Sequence, residues 1–270
     1  MLDLGISGRR ALIAGSSSGI GAAVATALAQ QWVEVIVHGR SADSANAVAK
    51  QIKDAGGRAS VILASLSDPA SVRQLAADAL AIGPIDILIN SAGAASTLWN
   101  WFDAPDDAWQ KQFQISTFYA VQLIQQLVPA MRERGWGRVL NVSSGAALSN
   151  MTTHPEYASA KLALHSMTAT LANEVGKNGV TVNTLVPGAF GTPNTMHVIE
   201  SQGKEAGFTE TGLALEKKVI RDVWGVNIPV GRMGRLEEIA QTACFLVSEP
   251  AAYITGAALR IDGGATGSVA

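Results

Sequence analysis

Cysteine is almost absent: one residue, Cys244, in 270 excludes an internal disulfide framework. It lies in the apolar run Ala243-Cys244-Phe245-Leu246-Val247, the setting of a buried structural thiol rather than a nucleophile. Charge is also scarce, at 16% of residues with a net of −2. Such a balance leaves no polyelectrolyte footprint and argues against nucleic acid as a partner. The histidines His38, His165 and His197 have no cysteine or carboxylate at metal-ligand spacing, so no metal site is expected. Met1 to Arg10 contains no apolar run of signal-peptide length, which points to the cytoplasm. Residues 11–33 carry no charge and have the length of a membrane span. Gly15-Ser16-Ser17-Ser18-Gly19 interrupts them, however, dividing a short strand-like run from an Ala-rich helical one, so no membrane span is expected.

What the chain has is 48% hydrophobic residues in an alternation of short apolar runs and longer amphipathic ones. That alternation predicts a parallel sheet with crossover helices. Strands are expected at Arg10 to Ala14, Val33 to Val37, Ala59 to Leu63, Ile85 to Ile89, Arg138 to Val142, Val180 to Leu185 and Ala257 to Ile261. Helices are expected over about 20–31, 42–55, 69–81, 105–134, 154–176 and 236–248. The predicted class is α/β: one Rossmann-type domain over residues 1–270, a doubly wound seven-stranded parallel sheet with helices on both faces. No repeat, low-complexity linker or composition break divides it.

Two stretches carry chemistry. Gly15-x3-Gly19-Ile20-Gly21 opens the first strand-turn-helix, where backbone N–H groups and the helix dipole hold phosphate and glycines allow close approach. In His154-Pro155-Glu156-Tyr157-Ala158-Ser159-Ala160-Lys161, the tyrosine and lysine lie four apart, on one helix face. A nearby cation favours the phenolate, bringing Tyr157 toward a working range for proton exchange with a carbonyl or alcohol oxygen. Ser144, thirteen residues before Tyr157, can stabilise charge on that oxygen from a second direction. Thr153 and Glu156 read as a capping box starting this helix.

Together these features resemble the classical short-chain dehydrogenase/reductase (SDR) family, over nearly the whole chain. Ala14 to Gly21 looks like the family's TGxxxGIG with Ala14 for Thr, and Asn90-Ser91-Ala92-Gly93 like its NNAG. Pro187-Gly188 with Thr192 resembles its PG-x3-T segment. Gly231-Arg232-Met233-Gly234, Glu237-Glu238-Ile239-Ala240 and Ile261-Asp262-Gly263-Gly264 resemble its closing signature. The resemblance implies an NAD(P)-dependent oxidoreductase acting on CH–OH groups. Tyr157 would be the general acid/base, Ser144 would polarise the substrate oxygen, and Lys161 would bind the nicotinamide ribose while depressing the pKa of Tyr157. Ser143 competes with Ser144, and the spacing of thirteen selects Ser144. Cofactor contacts are implied at Gly15, Ser17, Ser18, Gly19, Ile20, His38, Arg40 and Leu66. Asn90, Ala92 and Gly93 are implied on the adenosine-ribose side, and Pro187, Gly188, Phe190 and Thr192 at the nicotinamide.

Two departures matter. Many relatives carry a catalytic Asn in the long helix after the fourth strand, and counting back from Leu127-Val128-Pro129 places Ser116 there, implying a slower but functional proton path. Ser65 stands where many relatives have an Asp beside the adenine, so contacts there would be weaker or would rely on the Leu66 backbone.

Cofactor choice turns on the end of the second strand. Gly39 occupies the position of the acid that would bind both ribose hydroxyls of NAD, and Arg40 follows with a fork suited to a 2′-phosphate. NADP is therefore expected, with NAD possible, Arg40 then being a solvated loop cation. Ala94 to Asp103, Ala146 to His154 and a lid at about 189–230 would shape the pocket. Trp99, Trp101, Met151, Phe190, Met196, Phe208 and Trp224 make it apolar, and Lys204, Lys217, Lys218 and Arg221 could meet an anionic substrate. The expected substrate is a small carbonyl compound or alcohol: a 3-oxoacyl thioester or a cyclic or aromatic ketone. The alternatives are an NAD-dependent secondary-alcohol dehydrogenase and a catalytically weak cofactor-binding scaffold or sensor. Apolar residues on more than one face of the long helices predict a homotetramer or homodimer.

Overall fold

Alternate residues of the first strand face opposite ways into two separate cores, and the architecture follows from that. In the computed structural model, which describes residues 3–93, 99–149 and 153–267, Ala11 and Ile13 pack into one core while Leu12 and Ala14 pack into the other. A strand buried on both faces needs helices on both sides, and the sequence between strands supplies them.

The elements alternate: β1 (Arg10–Ala14), α1 (Gly19–Gln30), β2 (Glu34–Gly39), α2 (Ala42–Asp54), β3 (Arg58–Leu63), α3 (Pro69–Ile82) and β4 (Ile87–Asn90). Next come α4 (Ala108–Phe113), a π-helical turn (Gln114–Phe118), α5 (Tyr119–Glu133) and β5 (Gly137–Val142). A 3-10 turn (Gly145–Leu148) precedes α6 (Pro155–Val175), followed by β6 (Val180–Pro187), α7 (Pro193–Glu205) and α8 (Gly212–Lys218). A second π turn (Val219–Val223), α9 (Leu236–Leu246) and β7 (Ala258–Ile261) complete the chain.

All seven strands are parallel, in the order β3-β2-β1-β4-β5-β6-β7. One core lies under α1, α2 and α9 and the other under α3, α5 and α6. The strand order reverses between β1 and β4, so the crevice beyond their carboxyl ends is where a ligand would sit.

Several boundaries differ from the sequence reading. The helix expected over 105–134 starts three residues later and is broken by the π turn; such bulges concentrate at functional sites. The lid region contains α7 and α8, packed on a small core of Ile199, Leu215, Val219, Ile220 and Met233. The Thr153–Glu156 capping box does not form. Helix α6 begins at Pro155, and its N-cap is His154, in the left-handed region at φ +50° with no side-chain cap. Proline at the first helical position presets the turn, and it disfavours the right-handed helical conformation in the residue before it.

Candidate active site

Three segments meet at the carboxyl ends of β1, β4 and β5. Gly15 takes φ +82°, and a Cβ there would stand 2.7 Å from the Ala92 Cα, so turn and β4 segment touch backbone to backbone. Helix α1 starts at Gly19 with Ser18 extended and making no side-chain cap. Its first N–H groups and the Ser18 hydroxyl are thus not used by capping, as a phosphate site requires. Thr192 caps α7, accepting from Thr195 N at 3.1 Å, and its methyl lies 3.5 Å from where a Gly19 Cβ would be. The PG segment therefore closes over the glycine turn. Gly188, hydrogen-bonded to Ile261 at the end of β7, has no room for a Cβ beside Asp262.

Ser144 and Tyr157 come together. The Ser144 hydroxyl lies close enough to the Tyr157 phenol to oppose the rise in its pKa, and it accepts from Ala146 N at 3.2 Å. Ser143 does something else: its hydroxyl donates to the Lys161 carbonyl at 2.8 Å and meets His165 Nε2 at 2.9 Å. The Lys161 ammonium is buried and donates to the carbonyls of Ala92 (3.1 Å) and Val142 (2.9 Å). It stands 6.0 Å from the centre of the Tyr157 ring.

The expected depression of the Tyr157 pKa is not what the structure shows. Burial pushes the phenol above its ordinary value, and the Ser144 hydroxyl opposes the shift. Burial also brings Lys161 down to about 7, so near neutrality the amine populates both protonation states. Lysine here is suited to passing a proton along, rather than acting only as a fixed cation.

Ser116 lies in the π turn, fully buried, and accepts from Gln112 Nε2 at 2.7 Å. Gly93 joins it to the lysine: at φ +109°, a Cβ there would stand 2.8 Å from Ser116 Oγ and 3.1 Å from Lys161 Nζ. Thr117 donates to the carbonyl of Ala160, fixing α6 one residue before Lys161.

Other expected contacts turn inward. Asn90 donates to Asn141 Oδ1 at 2.8 Å, the first link of a buried chain through Thr168 to Thr184. The Oδ1 of Asn90 is buried and makes no hydrogen bond among the described residues. The Phe190 ring packs against Gly234 in the core. His38 is buried, with both ring nitrogens engaged by backbone. The carbonyl of Leu66 accepts from Gln114 Nε2 at 2.9 Å, and Ser65 is half-buried and bonded to Ser67.

On the lid, Phe208, Met196 and Trp224 pack on the small core. Lys218 pairs with Glu210 and Arg221 with Asp222, so neither is a free cation. Trp101 is exposed beside Trp109, and the Trp99 carbonyl accepts from His154 N. Met151 and residues 94–98 of the expected pocket wall lie outside the described residues.

Sequence reasoning missed Tyr119. Its buried hydroxyl accepts from Ala92 N at 3.1 Å and donates to Ala92 O at 3.3 Å, the carbonyl that also holds Lys161. Nothing in the sequence distinguishes it from the apolar residues around it.

Residues 14–266 match a family model described as Enoyl-(Acyl carrier protein) reductase. The chain belongs to the short-chain dehydrogenase/reductase family. It is 35% identical to D-threitol dehydrogenase of Mycolicibacterium smegmatis, over 98% of this chain and 95% of that one. It is 31% identical to D-beta-hydroxybutyrate dehydrogenase of Rhizobium meliloti, over 96% and 98%. L-sorbose reductase from Gluconobacter frateurii, solved with NADPH and L-sorbose, superposes with a TM-score of 0.92 at 32% identity, covering 99% of this chain and 100% of that one. As an SDR, the protein is an oxidoreductase of the EC 1.1.1 type, acting on hydroxyl or keto groups with NAD(P). Among the described residues no helix is long and apolar enough to cross a membrane, and no cluster could hold a metal ion. Cys244 is buried, and burial pushes its thiol up to about 12.

Proposed function

We propose that this SDR is NADP(H)-dependent and interconverts a ketone and a secondary alcohol. The reading of the chemistry rests on one observation: the Ser144 hydroxyl meets the Tyr157 hydroxyl beside buried Lys161, across the crevice from the glycine turn. When bound, the dinucleotide supplies or accepts the hydride. Ser144 positions the substrate oxygen and stabilises charge on it. Tyr157 gives that oxygen a proton in reduction and takes one in oxidation; its raised pKa favours the protonated donor. Lys161, near 7, exchanges protons behind it, with Ser116 on the far side of Gly93.

The preference for NADP is supported by the end of β2. A Cβ on Gly39 would stand 2.6 Å from Ser17 Cβ, leaving no room for the acid that would bind a free ribose. Arg40 is exposed and makes no salt bridge among the described residues, so its fork is free for a 2′-phosphate. Titrating both cofactors separates this reading from an NAD-dependent alcohol dehydrogenase.

Substrates of the 3-oxoacyl thioester, cyclic or aromatic ketone type remain the proposal, and the relatives named for L-sorbose and D-threitol add ketoses to the compounds worth assaying. A homotetramer, or a homodimer, is supported by Phe118 on the π turn and Leu162 on α6, both about half exposed, and by the exposed edge strand β7. A cytoplasmic setting is part of the same reading and accords with a single, buried, unpaired cysteine. Ser116 favours the weaker alternative, a scaffold with little turnover; comparing the parent with Tyr157→Phe on a carbonyl panel decides between them.

A further inference from the structure

His38 lies at the end of β2, one residue before the position that selects the cofactor, and its ring is buried with both nitrogens engaged by backbone. Gly15 N–H donates to its Nδ1 at 3.0 Å. A ring nitrogen that accepts carries no proton, so the proton of the neutral imidazole is on Nε2, which reaches the Ala64 carbonyl at 3.2 Å. The backbone repeats the tie: Ser16 N donates to His38 O, and His38 N to Ser16 Oγ, both at 2.9 Å, while that hydroxyl donates to the Ile13 carbonyl at 2.7 Å. One buried side chain thus joins the turn after β1, the end of β2 and the end of β3. All three segments border the crevice.

The turn needs that support. Gly15 holds a left-handed φ of +82°, and on its other side it is pressed against Ala92, so its N–H direction is fixed by a single acceptor from beneath. If that acceptor is removed, the N–H is left buried and unpaired, and the turn must distort to find another partner. The phosphate-binding groups at Ser17 to Ile20 follow directly from it.

We propose that His38 is a positioning residue for the dinucleotide: as the Nε2–H tautomer it fixes the phosphate turn against the end of β3 and thereby sets the affinity for the cofactor. The inference rests on dinucleotide binding at the glycine turn. Because the tie lies under the turn and not beside the ribose, it acts on NADPH and NADH alike. This separates it from Arg40, which faces only the phosphorylated one.

The test is direct binding of NADPH and of NADH, by fluorescence titration, to the parent and to H38L, H38Q and H38N. An Asn oxygen stands close to the place of Nδ1 and restores the acceptor for Gly15; a Gln amide mimics Nε2 and does not. H38L and H38Q are expected to weaken both cofactors by about tenfold or more, the effect of one lost buried hydrogen bond. H38N should bind both nearly as the parent does, and in any variant that turns over, kcat at saturating cofactor should be unchanged. If H38L does not fold, the contrast of H38Q with H38N decides. Equal affinities in parent and H38Q, or H38N as weak as H38Q, would overturn the role of His38 alone. A parent that binds neither dinucleotide would overturn it together with the cofactor reading.

Discussion

Tyr119 grips Ala92 by both of its polar backbone atoms, accepting from the N–H and donating to the carbonyl. Ala92 in turn backs Gly15 of the phosphate turn and accepts the Lys161 ammonium. One phenol, burying no catalytic atom of its own, therefore stands behind both halves of the site. Tyr119→Phe keeps the ring and leaves the Ala92 N–H without its partner. Urea denaturation should show a loss of about 1–3 kcal/mol, the usual cost of an unsatisfied buried donor. The same variant should turn over more slowly. Parent-like stability and kcat would remove Tyr119 from the account.

Ser116 faces Lys161 across Gly93, where many relatives carry Asn. Ser116→Asn should alter the pH dependence of kcat, because the group beside a lysine that titrates near 7 changes its hydrogen-bonding capacity. A variant with every rate and pH parameter unchanged would show that Ser116 has no part in the proton path.

Arg40→Glu places a carboxylate where the 2′-phosphate is proposed to lie. The ratio of NADPH to NADH affinity should fall by about tenfold or more, as expected for the loss of one charge-assisted contact. An unchanged ratio would return Arg40 to the status of a solvated loop cation.

Burial lowers His38 from 6.5 to about 4, with the Ala64 hydrogen bond opposing the shift. Between these values the unfolded chain binds a proton that the folded chain refuses, so stability rises with pH through the window. As pH falls from about 6.5 to about 4 the protein should lose on the order of 3 kcal/mol from this group, and little more from it below that. Denaturation at several pH values, in the parent and in His38→Gln, isolates the contribution. An identical slope in both would contradict it.

How much of this could be read from sequence depends on which atoms do the work. The inner strands and the glycine turn were legible because burial on two faces and positive φ leave marks in residue type: apolar runs and glycines. The edge strands β3 and β7 lack that burial and were legible from their place in the alternation of strand and helix. Ser144, Tyr157 and Lys161 were legible through their spacing only together with the family resemblance that the other motifs carry. Where the side chains of Asn90 and Phe190 go was not legible, since residue identity does not show which way a strand end points. Asn90 turns its amide N–H into the core while its Oδ1 stays buried without a hydrogen bond among the described residues, and Phe190 fills the space left by Gly234. Tyr119 was invisible because its partner is a backbone pair 27 residues away in sequence, which no local pattern reports. The Thr153–Glu156 cap failed for a local reason: Pro155 fixed the helix start one residue later than the pair required.

The central claim is that Tyr157 exchanges a proton with a carbonyl oxygen while a nicotinamide exchanges hydride with its carbon. It is tested by following NADPH absorbance with a panel of 3-oxoacyl thioesters, cyclic and aromatic ketones and ketoses, in the parent and in Tyr157→Phe. The account predicts substrate-dependent NADPH oxidation by the parent, and a rate lower by about 10²–10⁴ in the variant with NADPH binding retained. A parent that binds NADPH but oxidises it with none of these compounds, or a variant as fast as the parent, would contradict it.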